Sequence, residues 1–523
     1  MKKALQFFVL MIVLASVQES QAQFNAHRYY QQIFQNVTET TNVLFSTNVP
    51  VPQPGGGFYE TVTGYPVNVK EYAFNYQNLY MNIFQPQGDT ITKRPVVIIC
   101  FGGGFVAGSK DHWSMRLIAI DLAKRGYVTA LIDYRLGMNL FDEDLSKRAV
   151  YRGIQDGRSA VRFFKADAAG SNIYKIDPEH IYIGGHSAGA FVALHNAYLD
   201  TETERPLSTY AWTQSCGFLG LSTCNCPDQL CLDCVGNNQS FSGHATAVFS
   251  LAGALGSAQY MESSGDPKMV MFHSTDDGTV PYTYGEPFQD ISPYIVGSDL
   301  PVVYGSDSLA SEGDLLNLDY TFYSYTNRGH GVHEDEPNNA LYSDIMPKIS
   351  IFFYSELLKP VPHTLEGNLQ ICPANSTQVY SVTDSIAPYY QWIVEGGSFT
   401  NAPNVQDAHA SVQWDVNAAI QKLTVVPYSR QWARGDSITI QVNVSATATN
   451  TWQGTDTNWK KYQNWSLNAL PQYCHDVVVP EEAVGDPILP TGTQCIVKSV
   501  TAYTNKFITL STGSELIIQP FSQ

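Results

Sequence analysis

The sequence predicts an α/β domain, a mostly parallel sheet with helices on both faces, followed by C-terminal all-β sandwich modules. Two observations predict it. Between residues 95 and 252, β-branched runs alternate with segments of helical periodicity. Beyond "KPVPH" at 359–363, which has a linker's composition, the texture changes to short alternating strands rich in Thr, Val and Ser.

The elements follow in order. Residues 1–22 read as a signal peptide: Lys2 and Lys3 precede the apolar run "ALQFFVLMIVLA", and Ser20-Gln21-Ala22 offers small residues at −3 and −1, so cleavage is expected before Gln23. The first domain is assigned to residues 23–358. Its residues 67–86 read as a hairpin, with two alternating runs split by Asn75-Tyr76-Gln77-Asn78. Strand 95–100 precedes a helix near 112–125, and strand 127–132 precedes a helix near 148–166. Next come "EHIYIG", a strand, and "AFVALHNAYL", a helix. Residues 201–244 interrupt the alternation as a Cys-rich insertion, read as lid material or as a surface loop. Strand 246–252 resumes the pattern, and "IMPKISIFFYSELL" closes the domain near 358.

Between "EHIYIG" and its helix lies Gly185-His186-Ser187-Ala188-Gly189. A strand, a tight turn and a helix with Ser at the tip are the layout of a nucleophile elbow, in which the strained Ser needs glycine neighbours. Upstream, "RPVVIICFGGGFVAGS" runs from a strand into Gly102-Gly103-Gly104, whose unobstructed N–H groups suit an oxyanion.

With "FGGGF", "IDYRLG" at 132–137, "QDGRSAVRFFKADA" at 155–168, "GHSAGA", "HSTDDGTVP" at 273–281 and "GHG" at 329–331, the chain resembles the α/β-hydrolases of the carboxylesterase and hormone-sensitive-lipase type. The resemblance covers about residues 65–355. It departs where the family usually has His before the three glycines and this chain has Phe101. A triad's acid and base should follow Ser187 in that order. The family's H-G-T-x-D-x-x-V-P falls on Asp277, with Ser274 in place of Gly, and Asp276 is the neighbouring alternative. Its G-H-G falls on His330, with His333 as the runner-up. His273 is read as structural, and His186 as an elbow residue that lines the site. The resemblance implies an oxyanion hole of the Gly103, Gly104 and Ala188 N–H groups, and a mechanism without cofactor or metal.

The formal charge of −18 disfavours nucleic acid and anionic surfaces. Nine cysteines in an exported chain point to disulfides. Five crowd together: Cys216, Cys224, Cys226, Cys231 and Cys234. Disulfides are favoured there over a four-thiolate metal knuckle. Cys100 reads as a buried thiol, and Cys474–Cys495 as a pair. Residues 364–446 read as a sandwich with Trp392 in its core, resembling immunoglobulin-like and PKD-type modules. Residues 451–523 read as a further β-rich module, whose "TWQGTDTNWKKYQNWS" resembles a tryptophan-rich motif of secreted bacterial proteins. Trp452, Trp459 and Trp465 are expected in a core, with sugar stacking as the alternative. The expected protein is a secreted serine carboxylic-ester hydrolase without a transmembrane segment. Feruloyl or acetyl esters of polysaccharide, or other small or polymer-linked esters, are its substrates, and the C-terminal modules attach it to polysaccharide or the cell surface. A serine peptidase and an adhesion protein with an inactive hydrolase domain are the rivals.

Overall fold

Arg94–Cys100 is a run of seven buried residues, and only a strand covered on both faces buries every side chain of a β-branched run. That strand sits inside an eight-stranded sheet. The computed structural model describes residues 24–519 apart from 57–59, 62–63, 218–219, 290–298, 335–338, 362, 374–375, 384–386, 446 and 455. The signal-peptide reading of residues 1–22 lies outside the described residues. Contacts divide the chain into two compact units, Met1–Leu358 and Lys359–Gln523.

In the first unit the elements run β1 (Val37–Pro54), β2 (Val69–Pro86), β3 (Arg94–Cys100), α1 (Trp113–Arg125), β4 (Val128–Ile132), α2 (Glu143–Ala169), β5 (Ile176–His186) and α3 (Ala188–Tyr198). A hairpin of β6 (Trp212–Cys216) and β7 (Ser222–Cys226) follows, then β8 (Ala247–Leu251), β9 (Ala254–Leu255) and β10 (Lys268–Ser274). After β11 (Tyr284–Gly285), β12 (Val303–Gly305) and α4 (Ser306–Leu316) come β13 (Tyr320–Tyr325) and α5 (Met346–Phe352). The main sheet has the order β1-β2-β4-β3-β5-β8-β10-β13. From β4 to β13 every neighbouring pair is parallel, whereas β1 and β2 are antiparallel additions at one edge. The protein has the α/β-hydrolase fold.

The hairpin expected within 67–86 is not formed. Val69–Pro86 is one 18-residue strand paired with Val37–Pro54, a strand that the sequence reading did not identify. Asn75-Tyr76-Gln77-Asn78 is an exposed stretch of this ribbon, with Tyr76 opposite Pro50. A two-stranded edge ribbon can leave polar residues in water without turning there. Helix α2 starts five residues before the expected position, because the Asp142 carboxylate caps the Leu145 N–H at 2.9 Å.

The insertion is stapled by Cys216–Cys224 and Cys231–Cys234, so these four sulfurs are engaged in disulfides, and Cys226 is a buried free thiol. Buried arginines of α2 hold it down. Arg148 donates to the carbonyls of Ser208 and Pro227, both at 2.6 Å, and Arg158 and Arg162 grip the Asp233 carboxylate.

In the second unit a four-stranded and a three-stranded sheet share a core that contains Trp392, Trp414 and Tyr380. Strands of residues 448–518 pair in parallel, with 475–479 on 499–502 and 494–497 on 515–518. Trp452, Trp459 and Trp465 are at most 2 % exposed and pack edge to face. Their indoles are core, so sugar stacking by these three is ruled out. The expected Cys474–Cys495 pair is also corrected: Cys474 bonds Cys372, 102 residues away, and Cys495 is a buried free thiol. No helix among the described residues is long and apolar enough to cross a membrane.

Candidate active site

The carboxyl ends of β3, β5, β10 and β13 deliver the chemical groups, the usual place for a site in a parallel sheet. At the end of β5, Ser187 stands at φ 53° and ψ −124°, strained for a side-chain-bearing residue. The two elbow glycines are steric requirements. A Cβ on Gly185 would lie 2.3 Å from the Cys100 carbonyl oxygen, and one on Gly189 would lie 2.2 Å from it. The Ser187 N–H donates to the Leu251 carbonyl at 2.9 Å, which ties the turn to β8.

The glycine loop after β3 is folded by its own chain. Gly103 has φ +132°, and a Cβ there would meet the Ala107 carbonyl oxygen at 2.1 Å. That loop carbonyl is already close because Val106 and Ala107 donate back to Gly103 O. Phe101 stacks on Tyr134 at 4.3 Å, Phe105 meets the same ring edge-on, and the Tyr134 hydroxyl donates to Phe101 O at 2.8 Å. Tyr134 thus buttresses the loop at which the resembling family usually has a His. Tyr134 and Arg135 both come from "IDYRLG", and Arg135 pairs with Asp156 of α2 at 2.9 Å. Ala188 opens α3, so its N–H belongs to the helix's first turn and lies at the positive end of its dipole.

Asp277 and His330 are brought together. His330 Nδ1 lies 2.8 Å from Asp277 Oδ2, and the other carboxylate oxygen accepts the N–H groups of Thr279 and Val280 at 2.8 and 2.9 Å. Burial works against the Asp277 charge. Hydrogen bonds from His273 and His330 outweigh it and hold the carboxyl well below its usual range. His273 is therefore more than a strand residue: its Nε2 lies 3.2 Å from Asp277 Oδ2. Asp276 points elsewhere. It is exposed, accepts the Ser274 hydroxyl, and faces the Gly329 N–H at 3.3 Å. Ser274, standing where the family pattern has Gly, also accepts the Arg328 N–H at 3.2 Å. The acid turn thereby holds the loop that carries His330.

His333 lies apart from Asp277. It is 2 % exposed, with Nε2 3.1 Å from Ser114 Oγ, and burial pushes its pKa well down. Ser187, His330, Gly103 and Gly104 line one cavity of about 530 Å³. Its walls include Tyr65, Val67, Leu140 and Phe288, and its polar rim includes Thr279 and Glu334. Tyr65, Leu140 and Phe288 carried no sequence signal, because they come from loops that pack together only in the fold.

Residues 81–291 match the BD-FAE family model. The N-terminal unit is a carboxylic-ester hydrolase. Among solved structures, the chain is similar to a thermophilic esterase from the Planctomycetes species Thermogutta terrifontis. Its native form is 19 % identical, with 56 % of this chain and 93 % of that one covered and a TM-score of 0.37. The propionate-bound form gives 19 % identity, 56 % and 94 % coverage and 0.36. The form phosphoramylated by tabun gives 18 %, 54 % and 90 %, and 0.35. No curated protein matches the sequence.

Proposed function

We propose that the chain is a secreted serine esterase, with Ser187 as nucleophile, His330 as general base and Asp277 as its orienting acid. The observation that carries this reading is the 2.8 Å contact of His330 with Asp277 beside a cavity that Ser187 also lines. His330 takes the Ser187 proton as the hydroxyl attacks the ester carbonyl. Asp277, fixed as a carboxylate, stabilises the imidazolium that forms. The N–H groups of Gly103, Gly104 and Ala188 receive the oxyanion. His330 then protonates the leaving alcohol, and water clears the acyl-enzyme by the same route reversed.

The apolar walls and volume of the cavity suit an aromatic or short acyl group. Feruloyl and acetyl esters of polysaccharide are the proposed substrates. Export is supported by the N-terminal sequence pattern and the three disulfides. The part beyond 359 is proposed to attach the enzyme to a polymer or cell surface.

The test is to treat the purified chain with a fluorophosphonate probe and to assay p-nitrophenyl, feruloyl and acetyl-xylan esters beside peptide substrates. Covalent labelling at Ser187 and ester turnover, both abolished by Ser187→Ala, are expected. A labelled protein that cleaves peptides in preference to esters would make it a peptidase, and an unlabelled folded protein would remove the serine mechanism.

A further inference from the structure

The residue before the nucleophile has contacts that the mechanism above does not use. His186 Nε2 lies 3.0 Å from the main-chain oxygen of His330. A carbonyl only accepts, so the ring is the donor and carries its proton on Nε2. The other ring edge faces the glycine loop: a Cβ on Gly102 would lie 3.0 Å from His186 Nδ1. The ring is wedged between two imidazoles, with its centroid 4.8 Å from that of His330 and 4.7 Å from that of His333. His333 is in turn fixed through Ser114 at the start of α1, and His112 Nδ1 shares that hydroxyl at 3.1 Å. A column of side chains therefore runs from α1 to the backbone of His330.

We infer that His186 is a positioning residue for the catalytic base, holding the His330 main chain by its Nε2–H so that the imidazole meets both Asp277 and the nucleophile. This rests on the serine-esterase reading. The His330 loop has two further holds, the Arg328 N–H on Ser274 and the Gly329 N–H on Asp276, and both grip the approach to His330. His186 grips His330 itself, on the carbonyl side. Because β5 carries both His186 and Ser187, the same strand end that sets the nucleophile also sets the base. Charge state fits the task. The ionisable groups around the ring are His330 and His333 on the loop after β13, His112 before α1, and Asp277 after β10. Burial first, then His330, pushes the His186 pKa down to about 3. A neutral neighbour does not oppose the positive charge that His330 acquires in the transition state, as a second imidazolium would.

Three variants of the full chain test it: His186→Ala, His186→Gln, whose amide can donate to the same carbonyl, and His186→Phe, which fills the space without a donor. Melting temperature, kcat and KM for p-nitrophenyl acetate, and the rate of fluorophosphonate labelling are measured for each. Loss of position at the base predicts a kcat lower by about 10- to 100-fold in the Ala and Phe variants, with KM within about two-fold. The Gln variant should recover to within about three-fold of wild type, and labelling rates should follow kcat. Gln as slow as Phe, Phe as fast as wild type, or a loss carried by KM alone overturns the inference. If the Ala variant fails to fold, the Gln and Phe pair decides. Wild type that labels at Ser187 while all three variants label at its rate defeats the role of His186 alone. Wild type that does not label defeats the parent reading as well.

Discussion

Helix α2 and the loops around Ser187 both bury polar groups, but they secure them differently. On α2, Arg148, Arg152, Arg158 and Arg162 are each at most 4 % exposed. Each holds several partners at once: Arg148 meets Glu71 and three carbonyls, and Arg152 meets Glu71 and Gly137 O. Such permanent charges are redundantly bonded, so they fix structure. Around Ser187 the described residues place one buried carboxylate, Asp277, among several imidazoles. That arrangement lets one proton move while everything else stays in place. The difference separates residues whose loss should cost folding from those whose loss should cost turnover.

The largest effect tests the turnover side. His330→Ala should lower kcat/KM by about 10⁴-fold or more, as Ser187→Ala should, because members of a triad fail together. His333→Ala should keep most activity in steady-state ester assays. A reversal of the two would move the base to His333. Asp277→Asn should cost about 10⁴-fold by disturbing the His330 tautomer, while Asp276→Asn should cost far less. Comparable losses in both would mean that the loop hold at Asp276 matters as much as the orienting carboxylate.

The folding side is tested at Glu71, which is fully buried between Arg148 and Arg152. Glu71→Ala leaves two buried cations short of a partner and should destabilise by about 3–5 kcal/mol in denaturant melts. The fraction still folded should turn over ester at nearly the wild-type rate. Loss of turnover without loss of stability would erase the distinction between the two systems.

Acid should sharpen it further. His186 and His333 have pKa values held down in the fold, so they stay neutral where an unfolded chain's histidines take up protons. Stability should therefore fall as pH drops below about 6.5, by up to about 1.4 kcal/mol per pH unit for each group. Asp277, whose pKa is also held down but because its charged form is favoured, adds its loss only below about pH 4. His186→Phe should flatten the first slope in pH-dependent melts by about one proton. The smallest effect is expected from deleting the chain after residue 360, which should leave small-ester turnover nearly unchanged and lower turnover only on polymer. Equal loss on both substrates would show that the second unit helps to form the site.

The sheet and the main groups of the candidate site were legible because their signals are local. A β-branched run such as "VVII", a glycine that backbone atoms require, and a helix after the serine all lie within a few residues. The β1–β2 ribbon was not legible, because its exposed mid-section Asn75–Asn78 imitates a turn. The role of Tyr134 under the glycine loop, the grip of His186 on the His330 carbonyl and the second contact of His273 on Asp277 arise from segments far apart in sequence. A residue-by-residue pattern carries no record of them. The Cys372–Cys474 bond escaped for the same reason, while the closer Cys495 attracted the pairing.

That bond has a practical consequence. It closes a loop of about 100 residues, and because the restriction on an unfolded chain grows with loop length it is worth about 4.7 kcal/mol on a chain-entropy basis. Material made in a reducing cytosol would lack it, and buried Cys495 would supply a third thiol from which mispaired forms could grow during oxidation. Production through an oxidising compartment, or a Cys495→Ser background for refolding, is therefore the way to obtain the second unit in a single covalent form.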